Sequence, residues 1–195
     1  MTTTEWNLLA EAHTALLDVV KGVKADDWNR PTPCSEWTVA QVLQHAVGDQ
    51  LGFAAAITGG DGPSWNPFAP TGEPIADPVE FTTAAITAAA DAWATIAKDA
   101  SEVPVPVPPN VLNAATGVGA CALDAAVHAW DIAVATGQPQ PLSQWAAGEI
   151  LISAKQIVEP LRAWGAYAPA VEAADGDDAV ADLLRYLGRD PKWTA

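Results

Sequence analysis

Basic residues are scarce in this sequence: nine lysines and arginines stand against 24 aspartates and glutamates, for a formal net charge of −15. The shortage argues against a nucleic-acid partner, because phosphate-backbone binding runs on clustered Lys and Arg. It equally disfavours docking on an anionic membrane. The two cysteines, Cys34 and Cys121, form no zinc-ribbon or C-x-x-C spacing. There is no G-x-S-x-G, Walker or dinucleotide-type glycine pattern, so hydrolase-triad, nucleotide and Rossmann readings lack support. The opening MTTTEWNLLAEAH has neither the basic nor the apolar region of a secretory signal. No stretch is read as the ~20 strongly apolar residues of a membrane span. The expectation is a cytoplasmic protein with reduced thiols, with neither a nucleic-acid nor a membrane partner.

What is present is apolar. Hydrophobic residues make up 50% of the chain and charged residues 17%, enough to build a real core from 195 residues read as one domain, 1–195. A first helix is expected from Thr4 to about Gly22. Turn-formers and two prolines fill Asp26 to Trp37. Thr38 and Gln41 then form a capping box that opens a second helix, running to about Ile57 before Gly59-Gly60. On that helix His45 is aligned with Gly48, Gly52 and Ala56, small residues that admit either another helix or a ligand. Gly59 to Asp77 is a long connection, in which Trp65 and Phe68 serve either as a lid or as plugs for the end of the core.

Asp77, Pro78 and Glu80 carry the start signals of a third helix, to about Ala100. The run SEVPVPVPPN is extended, because alternate prolines forbid helix. Ser143 caps a further helix from Gln144 to Glu159, closed by Pro160. Tyr167 to Ala173 is read as a short strand beside Val103–Val107, and Asp178 caps a last short helix ended by Gly188. The fold class is all-α: a four-helix bundle with short extra helices and one small pair of extended segments.

The stretch from Gly117 to Gly137, GVGACALDAAVHAWDIAVATG, organises the rest. It is apolar or small almost throughout, as befits a helix surrounded by other helices. At about 100° per residue, Asp124 and His128 stand one turn apart on the same face. A carboxylate and an imidazole in such an interior need compensation. A divalent cation held by His45, Asp124 and His128 supplies it, and three protein ligands leave a position open for water or substrate. Asp131, near His128, is placed to orient a ligand imidazole, and Asp49, four residues after His45, competes for the carboxylate position. A buried Asp–His hydrogen bond and a satisfied core histidine account for the same spacing without a metal. His13 is assigned to a surface or seam, and Cys121 to packing rather than ligation.

The stretches PTPCSEWTVAQVLQHAVGDQ, DAAVHAWDIAVATGQ and LLRYLGRDPKW carry a resemblance. Together they are similar to the actinobacterial metal-binding proteins of the DinB/YfiT-like superfamily, and more narrowly to the N-terminal domain of mycothiol-dependent maleylpyruvate isomerase. The resemblance implies a DinB-like four-helix bundle, with the family's metal ligands falling on His45, Asp124 and His128. It also implies a divalent ion (zinc first, with nickel, iron or manganese as alternatives) that activates a low-molecular-weight thiol such as mycothiol. The activity implied is S-transfer to a small electrophile or an isomerase-like reaction. The alternative is a non-catalytic metal-binding protein for sensing, storage or interaction. Two departures direct the expectation away from maleylpyruvate isomerisation itself: Asp124 stands where the isomerase pattern has glutamate, and the sequence stops at Ala195 without the isomerase's C-terminal domain.

Overall fold

The structure is a computed structural model that describes residues 5–34 and 36–194. Its elements are α1 (Asn7–Gly22), α2 (Val39–Thr58), α3 (Pro78–Ala94), β1 (Val103–Pro104), β2 (Val111–Leu112), α4 (Ala114–Ala135), α5 (Gln144–Ala163) and α6 (Ala179–Tyr186), with a 3-10 turn at Ala25–Asp27. Thr4, the expected start of α1, lies outside the described residues, and the helix begins at Asn7.

The helix starts follow their local chemistry. Thr38 and Gln41 make both halves of the capping box on α2, satisfying backbone donors that have no intrahelical acceptor. Asp77, Ser143 and Asp178 each accept from a backbone N–H three residues on. Asn113 does the same for Thr116, at 3.0 Å. That cap starts α4 three residues before Gly117.

The four helices α1, α3, α2 and α4 pack in a closed ring, each touching the next, and α5 lies outside against α4 and α1 with α6 upon it. This is the all-α, DinB-like bundle expected. Because α5 covers the outer face of α4, nearly all of α4 is buried, from Ala114 to Ala135. By length and composition α4 is apolar enough to cross a membrane, contrary to expectation, but 94% of its most apolar window is buried inside the protein. It is the core helix of the bundle.

Three expectations are corrected. Helix α3 stops at Ala94 rather than near Ala100: the Thr95 hydroxyl and N–H both turn back onto the Ala92 carbonyl, tightening the last turn into an end. Pro160 does not close α5, which continues to Ala163 with the proline inside. The loss is one backbone donor, and Leu161 in the turn beyond it is buried. Val103 and Pro104 pair antiparallel with Leu112 and Val111, not with Tyr167–Ala173. A strand needs a neighbour with free backbone groups, and the nearer one arrives through the Val105–Asn110 turn. The Tyr167–Ala173 stretch forms no strand and is tied to α6 by Val171 N–H donating to Arg185 O.

The small residues on α2 admit connections, not another helix. A Cβ at Gly48 would come within 2.5 Å of the Pro67 ring, and one at Gly52 would meet Pro106. The Gly59–Asp77 connection thus lies against α2. Gln41 and Gln44 hold it there through Pro70 O, Glu73 O and Gly72 N–H.

Candidate metal centre

Where α2 crosses α4, the structure brings His45, Asp124 and His128 together. All three are buried, and one ligand atom from each lies within 4.8 Å of the others. Asp124 Oδ1 is 3.4 Å from His128 Nε2 and 3.6 Å from His45 Nε2. Asp49 Oδ2 stands 4.0 Å from His45 Nε2.

The hydrogen bonds fix which nitrogens carry protons. His45 Nδ1 lies 2.9 Å from the Pro67 carbonyl, and His128 Nδ1 lies 2.9 Å from Asp131 Oδ2. Both partners are acceptors, so both Nδ1 atoms are donors, and each ring turns its Nε2 toward Asp124 Oδ1. Two ring nitrogens and a carboxylate oxygen therefore converge. Their spacing exceeds a hydrogen bond. It matches the ~3.3 Å expected between two donors each about 2.05 Å from a tetrahedral ion. The donor set and its geometry fit a divalent cation.

The surroundings shift the proton affinities of these groups. Burial, opposed by the Asp131 hydrogen bond, lowers His128 to about 4, so the ring is neutral at pH 7. Burial raises Asp124 well above the usual carboxylate range, and the Asp49 charge beside it adds to the effect. Asp49 is raised too, by burial against the attraction of His45. Two carboxyls packed this closely repel unless a proton or a cation stands between them. Gln50 Nε2 donates to Asp124 Oδ2 at 3.2 Å, which leaves Oδ1 aimed at the histidines.

Asp131 Oδ2 accepts from His128 Nδ1. Burial works against its charge, but the attraction and hydrogen bonds of Arg189, with the hydrogen bond from His128, hold it well below the ordinary carboxylate range. Arg189 Nε and Nη2 reach Asp131 Oδ1 and Oδ2 at 2.9 and 2.8 Å. Cys34 Sγ donates to Asp131 Oδ2 at 3.2 Å, and burial followed by the Asp131 charge pushes this thiol far up. Cys34, His128 and Asp131 are themselves close enough to form a second ligand-like cluster. There the positive charge is already supplied by the Arg189 guanidinium.

Sequence reasoning missed Arg189, Gln50 and Cys34. Arg189 belongs to the GRDP-x-W block but carries no spacing signal to Asp131, 58 residues earlier. Gln50 is wholly buried, linking His13 Nε2 (2.8 Å), the Cys121 thiol (3.1 Å) and Asp124. A glutamine inside a helix gives no hint of such a role. His13 lies buried inside the bundle, on α1 and bonded across it to Gln50 of α2, not at the surface, and burial lowers it to about 4. Cys121 faces Gln50 and takes no place among the candidate ligands.

The centre opens onto a cavity of about 580 Å³. Trp37 and Phe68 flank His45, with ring centroids 4.8 and 5.4 Å away. Phe68 is 62% exposed at the rim. Trp65 instead packs on Phe81 and donates to Gln44 O. The two aromatics of the long connection therefore divide the roles proposed for them, one at the pocket mouth and one against the core.

Residues 9–133 match the family model of the mycothiol maleylpyruvate isomerase N-terminal domain. Two uncharacterized proteins of Mycobacterium tuberculosis, from strains CDC 1551 / Oshkosh and ATCC 25618 / H37Rv, are each 31% identical to this chain over 157 residues, covering 76% of it and 76% of their own length. No solved structure matches it significantly. The matched segment holds His45, Asp49, Asp124, His128 and Asp131, and it ends before Arg189. The chain belongs to the mycothiol maleylpyruvate isomerase N-terminal domain family.

Proposed function

We propose that this chain binds a divalent metal ion, zinc foremost, through His45, Asp124 and His128, and uses it as a transferase or isomerase-like enzyme dependent on a low-molecular-weight thiol of the mycothiol type. The observation that carries the reading is the convergence of two histidine Nε2 atoms and Asp124 Oδ1 at 3.4 to 3.6 Å, a spacing that suits ligands and not hydrogen-bonded partners. When bound, the ion would supply a Lewis acid that lowers the pKa of a coordinated thiol and so favours the nucleophilic thiolate at neutral pH.

The chain's own residues do the rest. Pro67 O and Asp131 fix the two imidazoles in the tautomer that presents Nε2. Gln50 fixes the carboxylate. Asp49, beside His45 with its proton affinity raised, is positioned to receive the proton a bound thiol gives up. Trp37 and Phe68 shield the centre from bulk water.

The test measures zinc content and turnover together. Wild type should retain about one zinc and conjugate mycothiol to an electrophile, with both lost in His128→Ala and both kept in His13→Gln. Equal zinc content in wild type and His128→Ala would reject the ligand set. Zinc binding without turnover across a panel of electrophiles would leave the non-catalytic reading.

A further inference from the structure

We infer that the cavity over the candidate metal centre selects an uncharged, flat, largely apolar partner for the thiol, and rejects dicarboxylates. The inference rests on the proposed function for the partner's role, but it is argued from the walls of the cavity.

The walls are aromatic and aliphatic. Trp37 and Phe68 stand on either side of His45, Leu161 and Trp164 come from the end of α5, and Pro106 comes from the β1–β2 connection. Phe68 and Trp164 are 62% and 72% exposed. Large apolar groups left open at one rim are costly in water and gain from a ligand that covers them.

The charges point the same way. Among the described residues lining the cavity, Arg189 is the one lysine or arginine, and its charge is already paired with Asp131. Nε and Nη2 are taken by Asp131, Nη2 also faces Cys34 Sγ, and Nη1 is directed to Leu187 O at 3.5 Å. The two positive charges of a bound cation would be offset by Asp124 and by a thiolate whose proton passes to Asp49, so the site carries no surplus positive charge. A carboxylate entering it loses its hydration and finds as cationic donor only a guanidinium already paired with Asp131, beside the Asp49 and Asp124 carboxyls. An uncharged ring or ester bears none of these costs.

Dimethyl phthalate and phthalate share a flat ring and differ in charge, and neither reacts with a thiol under mild conditions. Their binding is measured by calorimetry, with tryptophan fluorescence as a second readout, on the zinc-loaded and the metal-free full chain. The ester should bind at least ~10-fold more tightly than the dianion in both states, since 1.4 kcal/mol corresponds to that factor. Phe68→Ala, at an exposed position that leaves the fold intact, should weaken the ester several-fold with an unchanged circular dichroism spectrum. Phthalate binding as tightly as the ester in either state, no ester binding up to its solubility, or a Phe68→Ala protein indistinguishable from wild type would each overturn the inference. Zinc uptake is scored separately. A chain that takes up no zinc yet prefers the ester loses the proposed function and keeps this one.

Discussion

Arg189 and Asp131 form a two-point ion pair, Nε to Oδ1 at 2.9 Å and Nη2 to Oδ2 at 2.8 Å, and the same Oδ2 receives the Nδ1–H of His128. The C-terminal segment is thereby connected, through one carboxylate, to a candidate metal ligand on α4. Arg189→Met should lower zinc affinity by about 10- to 100-fold, the usual cost of losing support behind a ligand. It should also destabilise the fold by about 3–5 kcal/mol, because Asp131 is left buried and unpaired. Arg189→Lys should recover part of both. A chelator-competition titration and the absorption spectrum of the cobalt form read the affinity and ligand geometry. Unchanged values in Arg189→Met would break the connection.

Asp49 makes opposite contributions with and without the ion. Burial raises the proton affinity of both Asp49 and Asp124, and each charge disfavours the other. A carboxyl whose folded pKa is raised contributes stability below its unfolded value of about 3.8, and that contribution is lost as pH rises through the folded value. Asp49→Asn should therefore stabilise the metal-free protein at pH 7, while shrinking the rise in Tm produced by zinc. Thermal melts with and without zinc decide it, and a variant less stable than wild type without metal contradicts it.

Gly48→Ala tests whether the long connection supports the site. The added Cβ would press on the Pro67 ring at 2.5 Å, pushing away the carbonyl that holds His45 Nδ1. A zinc affinity lowered by about 3- to 10-fold with helix content intact is expected, smaller than the loss of a ligand. Affinity equal to wild type would show that the loop gives way without moving the ring.

His13 contributes a pH dependence that is separable from the metal centre. Its folded pKa, lowered by burial to about 4, lies below the unfolded value of 6.5. The unfolded chain takes up the proton first, so stability falls as pH drops from 6.5 to about 4, by on the order of 3 kcal/mol in all. His128 titrates in the same window, so the measurement is a difference. Urea unfolding of wild type and His13→Gln should give a stability gap that shifts in the variant's favour toward pH 4. A gap constant from pH 7 to 4 would count against a neutral, buried His13.

Much of this was legible because it is local. The caps at Thr38, Asp77, Ser143 and Asp178 are signals a few residues long, and the i, i+4 spacing of Asp124 and His128 survives intact in α4. The apolar composition of α4 identified it as the core, and the core is where charged side chains meet. What sequence did not disclose is set by distant contacts. Arg189 reaches Asp131 across α5 and α6, and Gln50 gains its partners only when α1, α2 and α4 come together. The strand partner of Val103 was misassigned because hydrophobic pattern marks an extended stretch without naming its neighbour. Pro160 was read as a stop because the cost of one missing donor is visible in sequence, whereas the packing that outweighs it is not.

Cys34 borders a cavity proposed to receive a foreign sulfur, yet its own hydrogen is pledged to Asp131 and its sulfur is faced by Arg189. Held in the protonated state, it makes a poor nucleophile and a poor ligand. Under the proposed function, this arrangement would guard against self-inhibition: the resident sulfur stays mute, and a coordination position would be left to a visiting one.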